Sequence, residues 1–371
     1  MRHRRPRSHS SPTPSSSSSR LTSRGFGTRG RFGLAPAILL PVAVVAALLA
    51  AWLIFGHGGD ALVVYCAHDS VYSEKILRQF EAETGIAVRP VFDTEATKSL
   101  GLIERLLREA ANPRCDVFWN NELLGTLDLA ARGITLPYKG RGHEGTPEQF
   151  KDPDGHWTGF AARFRVWIIN TQRMPATPQA IEEKLKGGLT RVAIAKPIYG
   201  TTLTHYTVLW HHWGGDKLKA WHKDWRARGA VEARGNAHVK DLVADGVCDL
   251  GLTDSDDFYV ASEAGKPVEM EPFRLDTGQT ICIPNTVCII RGTRRLERAQ
   301  KLVDYLLSWD CQLALARSTA RQVPLCAPLQ PDGHPDVPAF YGRWVADGYP
   351  LPPLGPVRAE CLAWLKGEYG R

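Results

Sequence analysis

Between residues 93 and 122 the chain reads DTEATKSLGLIERLLREAANPRCDVFWNNE, and no other stretch restricts the fold as tightly. A polar turn, Asp93-Thr94-Glu95-Ala96-Thr97, closes an apolar run. Leu100, Ile103, Leu106, Leu107 and Ala110 then recur at three-, four- and seven-residue spacings, which predicts one apolar stripe on a helix. Asn112 and Pro113 end that helix, and Asp116-Val117-Phe118-Trp119 predicts a short buried strand running into Asn120-Asn121-Glu122. Strand, polar turn, helix, strand, polar turn is the order of an open α/β sheet. In such sheets ligands sit beyond the carboxyl ends of the strands, where helices begin. Both polar turns take that position.

The alternation extends along the chain. Residues 62–65 predict a strand, 71–83 a helix capped by Ser70 and stopped at Gly85, and 86–92 a second strand. A helix over 123–132 follows, closed by Gly133. Residues 138–156, rich in Gly, Lys and His, predict a solvated surface loop holding His143 and His156. Apolar residues alternate from 157 to 170, a length that suits extended chain crossing between two lobes. Strands at 191–195, from 231, and at 249–253 then alternate with helices over 200–213, 216–228, 236–245 and 258–264. Residues 279–291 return as a second crossing, helices cover 299–307 and 312–316, and a Pro-rich tail after 327 wraps the surface. This order predicts two α/β lobes with a cleft between them. Lobe 1 spans 60–160 and 275–325, lobe 2 spans 161–274, and 326–371 packs on the lobes.

The formal charge of +7 misleads about partners, because residues 1–32 hold eight Arg and no acid. Without those eight, 38 basic side chains face 39 acidic ones, so the folded part is near neutral and nucleic-acid binding is not indicated. The Ser/Arg/Pro tail has too little apolar surface to form a core and reads as a disordered cytoplasmic segment. Residues 33–55 are uncharged and long enough to span a bilayer, and the Arg cluster before them orients the N-terminus inward. The segment 33–56 is thus a transmembrane anchor, with a cleaved signal peptide as the alternative; either leaves the domain outside the cytoplasmic membrane. Eight cysteines occur without a C-x-x-C pair. Cys66 and Cys115 flank neighbouring predicted strands and would face each other, while buried free thiols are the other reading.

DTEATK, the following RL-containing helix and DVFWNNE resemble the solute-binding proteins of ABC transporters, in the ferric-iron-binding-like group of the bacterial extracellular solute-binding proteins. The resemblance covers roughly residues 60–325. It implies a periplasmic-binding-protein type II fold, here preceded by one N-terminal transmembrane helix. It also implies a monomer on the periplasmic side that delivers solute to ABC permease subunits and carries no catalytic cofactor. In such proteins a first-loop His, a Glu after the D-V-F strand and two adjacent Tyr hold Fe(III), with a synergistic anion at a helix start. The corresponding positions here are His68 or Asp69, Glu122, and Asp256-Asp257 in place of the Tyr pair; Tyr259 is out of register. Hard carboxylate oxygens suit Fe(III), and equally Ca or Mg.

Five polar groups converge on the predicted cleft: His68 with Asp69, Asp93 to Thr97 including Thr94, Asn120-Asn121-Glu122, Asp254 to Asp257, and Gly200-Thr201-Thr202 at a helix start. The last is an anion site by its amides and dipole, joined by Asn236. Glu122, Asp256 and Asp257 are the candidate metal ligands. Asp254 and Asn120 to Glu122 are alternatively simple helix starts. His205, His211, His212 and His222 lack a ligand spacing, and Trp210, Trp213, Trp221 and Trp225 suit a lobe core. The favoured function is capture of iron(III) or a metal–anion ligand. The alternatives are a receptor for an organic anion such as an aminoalkyl phosphonate, an enzyme using Cys66 and His68, and a sensor ectodomain.

Overall fold

The computed structural model describes residues 61–68, 70–93, 100–326 and 336–370. Asp69, Thr94, the basic tail and the apolar segment 33–55 lie outside the described residues. Among those described, no helix is long and apolar enough to cross a membrane.

The chain runs β1 (Leu62–Cys66), α1 (Ser70–Thr84), β2 (Val88–Phe92), α2 (Leu100–Arg108), β3 (Val117–Asn120), α3 (Leu124–Ala131), β4 (Thr135–Leu136), α4 (Arg141–Gly145) and β5 (Thr158–Asn170). It continues α5 (Pro178–Lys186), β6 (Val192–Ala195), α6 (Gly200–Trp213), α7 (Gly215–Ala227), β7 (Val231–Ala233), α8 (Asn236–Ala244), β8 (Leu250–Asp254), α9 (Ser255–Glu263) and β9 (Val268–Pro272). It closes with β10 (Cys282–Ile290), α10 (Leu296–Leu306), α11 (Trp309–Arg317), α12 (Phe340–Ala346) and α13 (Leu354–Glu368).

The strands pair in the order β2-β1-β3-β10-β5-β8-β6-β7, with β4 on β10 and β9 on β5. Strands β2, β1 and β3 are parallel, as are β8, β6 and β7; β10 and β5 join these two sets by antiparallel pairing. Strand β5 is shared. Its first part pairs with β10 and its last part with β8 and β9, which is why all thirteen of its residues are buried. At its fourth residue, Ala161, φ is +43°, and the β10 register shifts between Ile283 and Asn285. A bulge of this kind bends a strand and re-aims the side chains beside it.

The helices bury the faces their spacing predicts, Ile76, Leu77 and Phe80 on α1 for example. Elsewhere the expectations need correction. Residues 138–156 are a surface segment only in part: the short α4 lies there, His143 is buried with Nδ1 3.0 Å from Thr158 Oγ1, and the buried Lys151 donates to the His143 carbonyl, while Lys139, Arg141 and Glu144 are exposed. The tail is not a simple wrap either. It supplies α12 and α13, which bury Tyr341, Leu354, Cys361 and Leu365, and α13 packs on both α3 and α6. All eight cysteines are buried thiols. Cys66 and Cys115 belong to separate core clusters, so they do not face each other. Trp210, Trp213, Trp221 and Trp225 pack around the core, with Trp221 and Trp225 rings 4.6 Å apart.

Candidate ligand cleft

A cavity of about 700 Å³ opens where the carboxyl ends of the strands meet the helix starts. Its first side is lined by His68 after β1, Ser70 and Val71 at the start of α1, Phe92 and Asp93 at the end of β2, and Asn121 after β3. Facing them are Lys196 after β6, then Tyr199, Gly200, Thr201 and Thr202 at the start of α6. Arg234, Gly235, Asn236 and Ala237 at the start of α8 follow, with Asp254, Asp256 and Asp257 at the β8–α9 junction. Arg163 enters from β5. Four helices thus begin on this cavity, and the first-turn amides of each lack intrahelical acceptors and carry the positive end of the dipole. Gly200 opens α6 at φ +61°, a left-handed conformation that costs a residue with a Cβ, although the space around it is open.

The electrostatics of the floor are set by two arginines two residues apart on β5. Arg165 is fully buried, and its Nη1 donates to Asp254 Oδ1 at 2.5 Å and to Asn236 Oδ1 at 3.2 Å. Asp254 Oδ2 accepts from Thr201 Oγ1 at 2.5 Å and from Asn236 Nδ2 at 2.9 Å. Thr202 Oγ1 completes the network by donating to Asn236 Oδ1 at 3.0 Å. Asp254 occupies the N-cap position of α9 but makes no cap bond, because its oxygens are taken by this network. It therefore holds the starts of α6, α8 and α9 together.

Asp256 and Asp257 follow in the first turn of α9. Carboxylate oxygens of Asp254, Asp256 and Asp257 lie within 4.8 Å of one another, the one cluster of metal-ligand type found among the described residues. Burial, then the charges of Asp256 and Asp254, push Asp257 from 3.8 up to about 7, although Thr253 Oγ1 donates to it at 2.7 Å. A cation beside this pair would relieve the repulsion.

Of the residues singled out in the sequence, His68, Asn121, Gly200, Thr201, Thr202, Asn236, Asp254, Asp256 and Asp257 line the cavity; Asp69 and Thr94 are outside the described residues. Glu122 is a correction. Its oxygens accept from the Leu124 amide at 2.5 Å and the Gly125 amide at 3.0 Å, and Thr204 Oγ1 lies 3.3 Å away. Buried at the start of α3, Glu122 caps that helix and is absent from the cavity wall. His68 is oriented by a relay in which Asn285 Nδ2 donates to Gln322 Oε1 at 3.0 Å and Gln322 Nε2 lies 2.8 Å from His68 Nε2. Cys66 is fully buried with Sγ against the His68 carbonyl, so no substrate reaches it as a nucleophile. Among the four other histidines, burial and the nearby Arg165 charge hold His205 well below its usual range, and His222 is bonded to Tyr206 at 2.9 Å.

Sequence reasoning missed Arg163, Arg165, Lys196, Arg234 and Gln322. The signal for the first two was present: Arg-Phe-Arg inside the apolar run GFAARFRVWII puts two charges where a buried strand demands partners.

Residues 62–318 match the bacterial extracellular solute-binding protein family. The chain belongs to that family. Iron uptake protein A1 of Synechocystis sp. is 26% identical over 308 residues, covering 77% of this chain and 81% of the relative. Iron-bound HitA from Pseudomonas aeruginosa superposes with a TM-score of 0.71 at 20% identity, covering 84% of this chain and 99% of that one. IdiA (FutA) of Trichodesmium, in complex with iron and citrate ligands, gives 0.66 at 20% identity with the same coverage, 84% and 99%. These likenesses establish the mixed α/β fold of the solute-binding family for this chain.

Proposed function

We propose that this protein is the extracytoplasmic solute-binding component of an ABC importer and that it captures iron(III) together with an anion. The cleft lies between lobe 1 (60–160 and 275–325) and lobe 2 (161–274), and the solute passes from it to permease subunits on the periplasmic side. One observation carries the reading: anion-favouring helix starts with Lys196 and Arg234 stand in the same cavity as the Asp256–Asp257 pair. The α6 and α8 amides take the anion and the carboxylates take the metal. Since Glu122 is sealed into a helix cap and Asp254 is held by Arg165, the protein offers the metal few oxygens. The accompanying anion completes the coordination, so the solute is a chelate rather than a bare ion. The iron and citrate ligands of the Trichodesmium relative fit this reading.

The test is thermal unfolding of the purified protein with Fe(III)-citrate and, separately, with aminoalkyl phosphonates. A bound solute raises the melting temperature by mass action. Fe(III)-citrate is expected to raise it, and the Asp256→Ala, Asp257→Ala double variant to lose that rise. The same observation on Asp254 favours a second reading. Asp256 and Asp257 together also suit one ligand ammonium, in an aminoalkyl phosphonate whose acidic group sits at the α6 start. A rise with the phosphonate and none with iron would replace the first reading by the second.

A further inference from the structure

We propose that Gln322 fixes His68 as the tautomer with its proton on Nδ1, so that His68 meets the solute as a hydrogen-bond donor and not as a metal ligand. This rests on reading the cleft as the solute site. His68 lines the cavity, buried, with its ring stacked 5.3 Å from that of Trp119. The direction of each bond behind it is set from one end. The Ala161 carbonyl can only accept, and Asn285 Nδ2 donates to it. The same Nδ2 donates to Gln322 Oε1 at 3.0 Å. The Gln322 amide is thereby oriented with its nitrogen toward the ring, 2.8 Å from His68 Nε2. An amide nitrogen only donates, so Nε2 accepts, and the proton of the neutral ring sits on Nδ1. Turning Gln322 over would set its nitrogen against that of Asn285, and turning Asn285 over would set its oxygen against the Ala161 carbonyl. Asn285 and Gln322 are both buried, so neither conflict is relieved at the surface.

The backbone around this relay is strained. Ala162 and Val323 exchange both N–H···O bonds at 2.7 Å, which pins Gln322 beside β5. Ala161 and Arg321, each one residue before an arm of the relay's bridge, take φ +43° and +47°, and among the described residues no other non-glycine has a positive φ. Such conformations persist only where the surrounding structure enforces them, and they gather at ligand clefts. A metal-binding histidine has the opposite group behind it: its second ring nitrogen donates to a carboxylate or carbonyl, which leaves a lone pair for the metal. Gln322 presents a donor where that acceptor would stand. With Nε2 engaged, the ring serves the solute through Nδ1–H, which suits an oxygen of the anion.

The experiment is nitrogen-15 NMR of the histidine rings in the purified protein, with His68 recognised by its contact with the Trp119 ring. The solute-free protein should show a bare Nε2 and a protonated Nδ1; a ring protonated on Nε2 overturns the proposal. Ga(III)-citrate, a diamagnetic stand-in for Fe(III)-citrate, is then added. Nδ1 should keep its proton in the complex, and its replacement by a metal-bound nitrogen makes His68 a ligand and overturns the proposal. Gln322→Met removes the donor at similar volume. It should let the ring exchange between tautomers and weaken Ga(III)-citrate about fivefold, the scale of one hydrogen bond. A folded variant that keeps the single tautomer and the affinity overturns the role of Gln322. Should the variant fail to fold, the two spectra of the unaltered protein decide. A protonated Nδ1 in the solute-free ring, with no rise in melting temperature from Ga(III)-citrate, keeps Gln322 in this role and defeats the iron assignment.

Discussion

The acidic turns before α3 and α9 occupy equivalent places, each at the carboxyl end of a strand and the start of a helix. At the first, the Glu122 carboxylate folds back onto the Leu124 and Gly125 amides. Its charge is met by the helix it precedes, and it is buried. At the second, Asp254 makes no cap bond and turns instead to Arg165, Thr201 and Asn236. That leaves Asp256 and Asp257 on the cavity wall, with Asp257 raised by burial and by its two neighbours. A carboxylate at a helix start is structural when the local amides take it. It faces the cavity when a neighbouring acid has been taken by a buried arginine from another element.

The largest effect should come from removing that arginine. Arg165→Met leaves Asp254 buried with a charge and no cationic partner at hydrogen-bond distance. Breaking a buried pair from one side costs about 3–5 kcal/mol, to be read by urea unfolding. Adding Asp254→Asn should recover part of the loss. If the single variant is as stable as the parent, Asp254 is not the anchored member of its turn and the contrast with Asp256 and Asp257 collapses.

Glu122→Ala is expected to cost about 1–3 kcal/mol, a lost cap plus unmatched buried amides. Melting temperature should fall while affinity for the solute, measured on protein still folded at 20 °C, stays within about twofold. A large affinity loss would make Glu122 a ligand group and erase the difference between the turns.

The fold was legible because its determinants are local. The polar turn and the Leu100 to Ala110 stripe specify one α/β unit, and Gly85 and Gly133 mark helix ends where positive φ is needed. Strand β5 was legible as a long extended segment from its alternating apolar residues. The convergence of the polar turns was readable from strand order alone, since every strand end in a parallel set faces the same way. What the residues hold was not. Glu122 and Asp257 have the same chemistry and similar surroundings in the sequence; the difference lies in where β5 sends Arg163 and Arg165, 41 to 94 positions away. Residues 138–156 were misread in part for a related reason: Gly, Lys and His suggest solvent, yet bonds such as His143 to Thr158 and Lys151 to the His143 carbonyl bury those two side chains while Lys139, Arg141 and Glu144 stay exposed.

The pH response of the solute-free protein sharpens the comparison further. Asp257 has a folded value of about 7 against 3.8 unfolded. Its contribution is fully present below about 4 and is lost as pH rises toward 7, because the folded state then holds a proton that the unfolded chain has released. The slope from this one group does not exceed ~1.4 kcal/mol per pH unit and flattens above 7. Asp257→Asn should remove the slope and be the more stable protein at pH 8; Glu122→Gln should leave the slope in place. Urea unfolding at pH 5, 6, 7 and 8 provides the check.

The smallest effect is the proton released on binding. A cation placed against Asp256 and Asp257 favours the ionised form and lowers the Asp257 value. At pH 6 the free protein holds that proton and the complex does not, so binding should release up to about one proton per solute by linkage. Affinity should accordingly rise with pH up to about 7 and level off. Titration calorimetry of the Fe(III) chelate in two buffers of different ionisation enthalpy measures the release directly. Asp257→Asn should abolish it, since the amide has no proton to give up. Release that persists in the variant would come from the solute or from another group, and Asp257 would then be only a crowded acid beside the ligand, closer to Glu122 than its position on the cavity wall suggests.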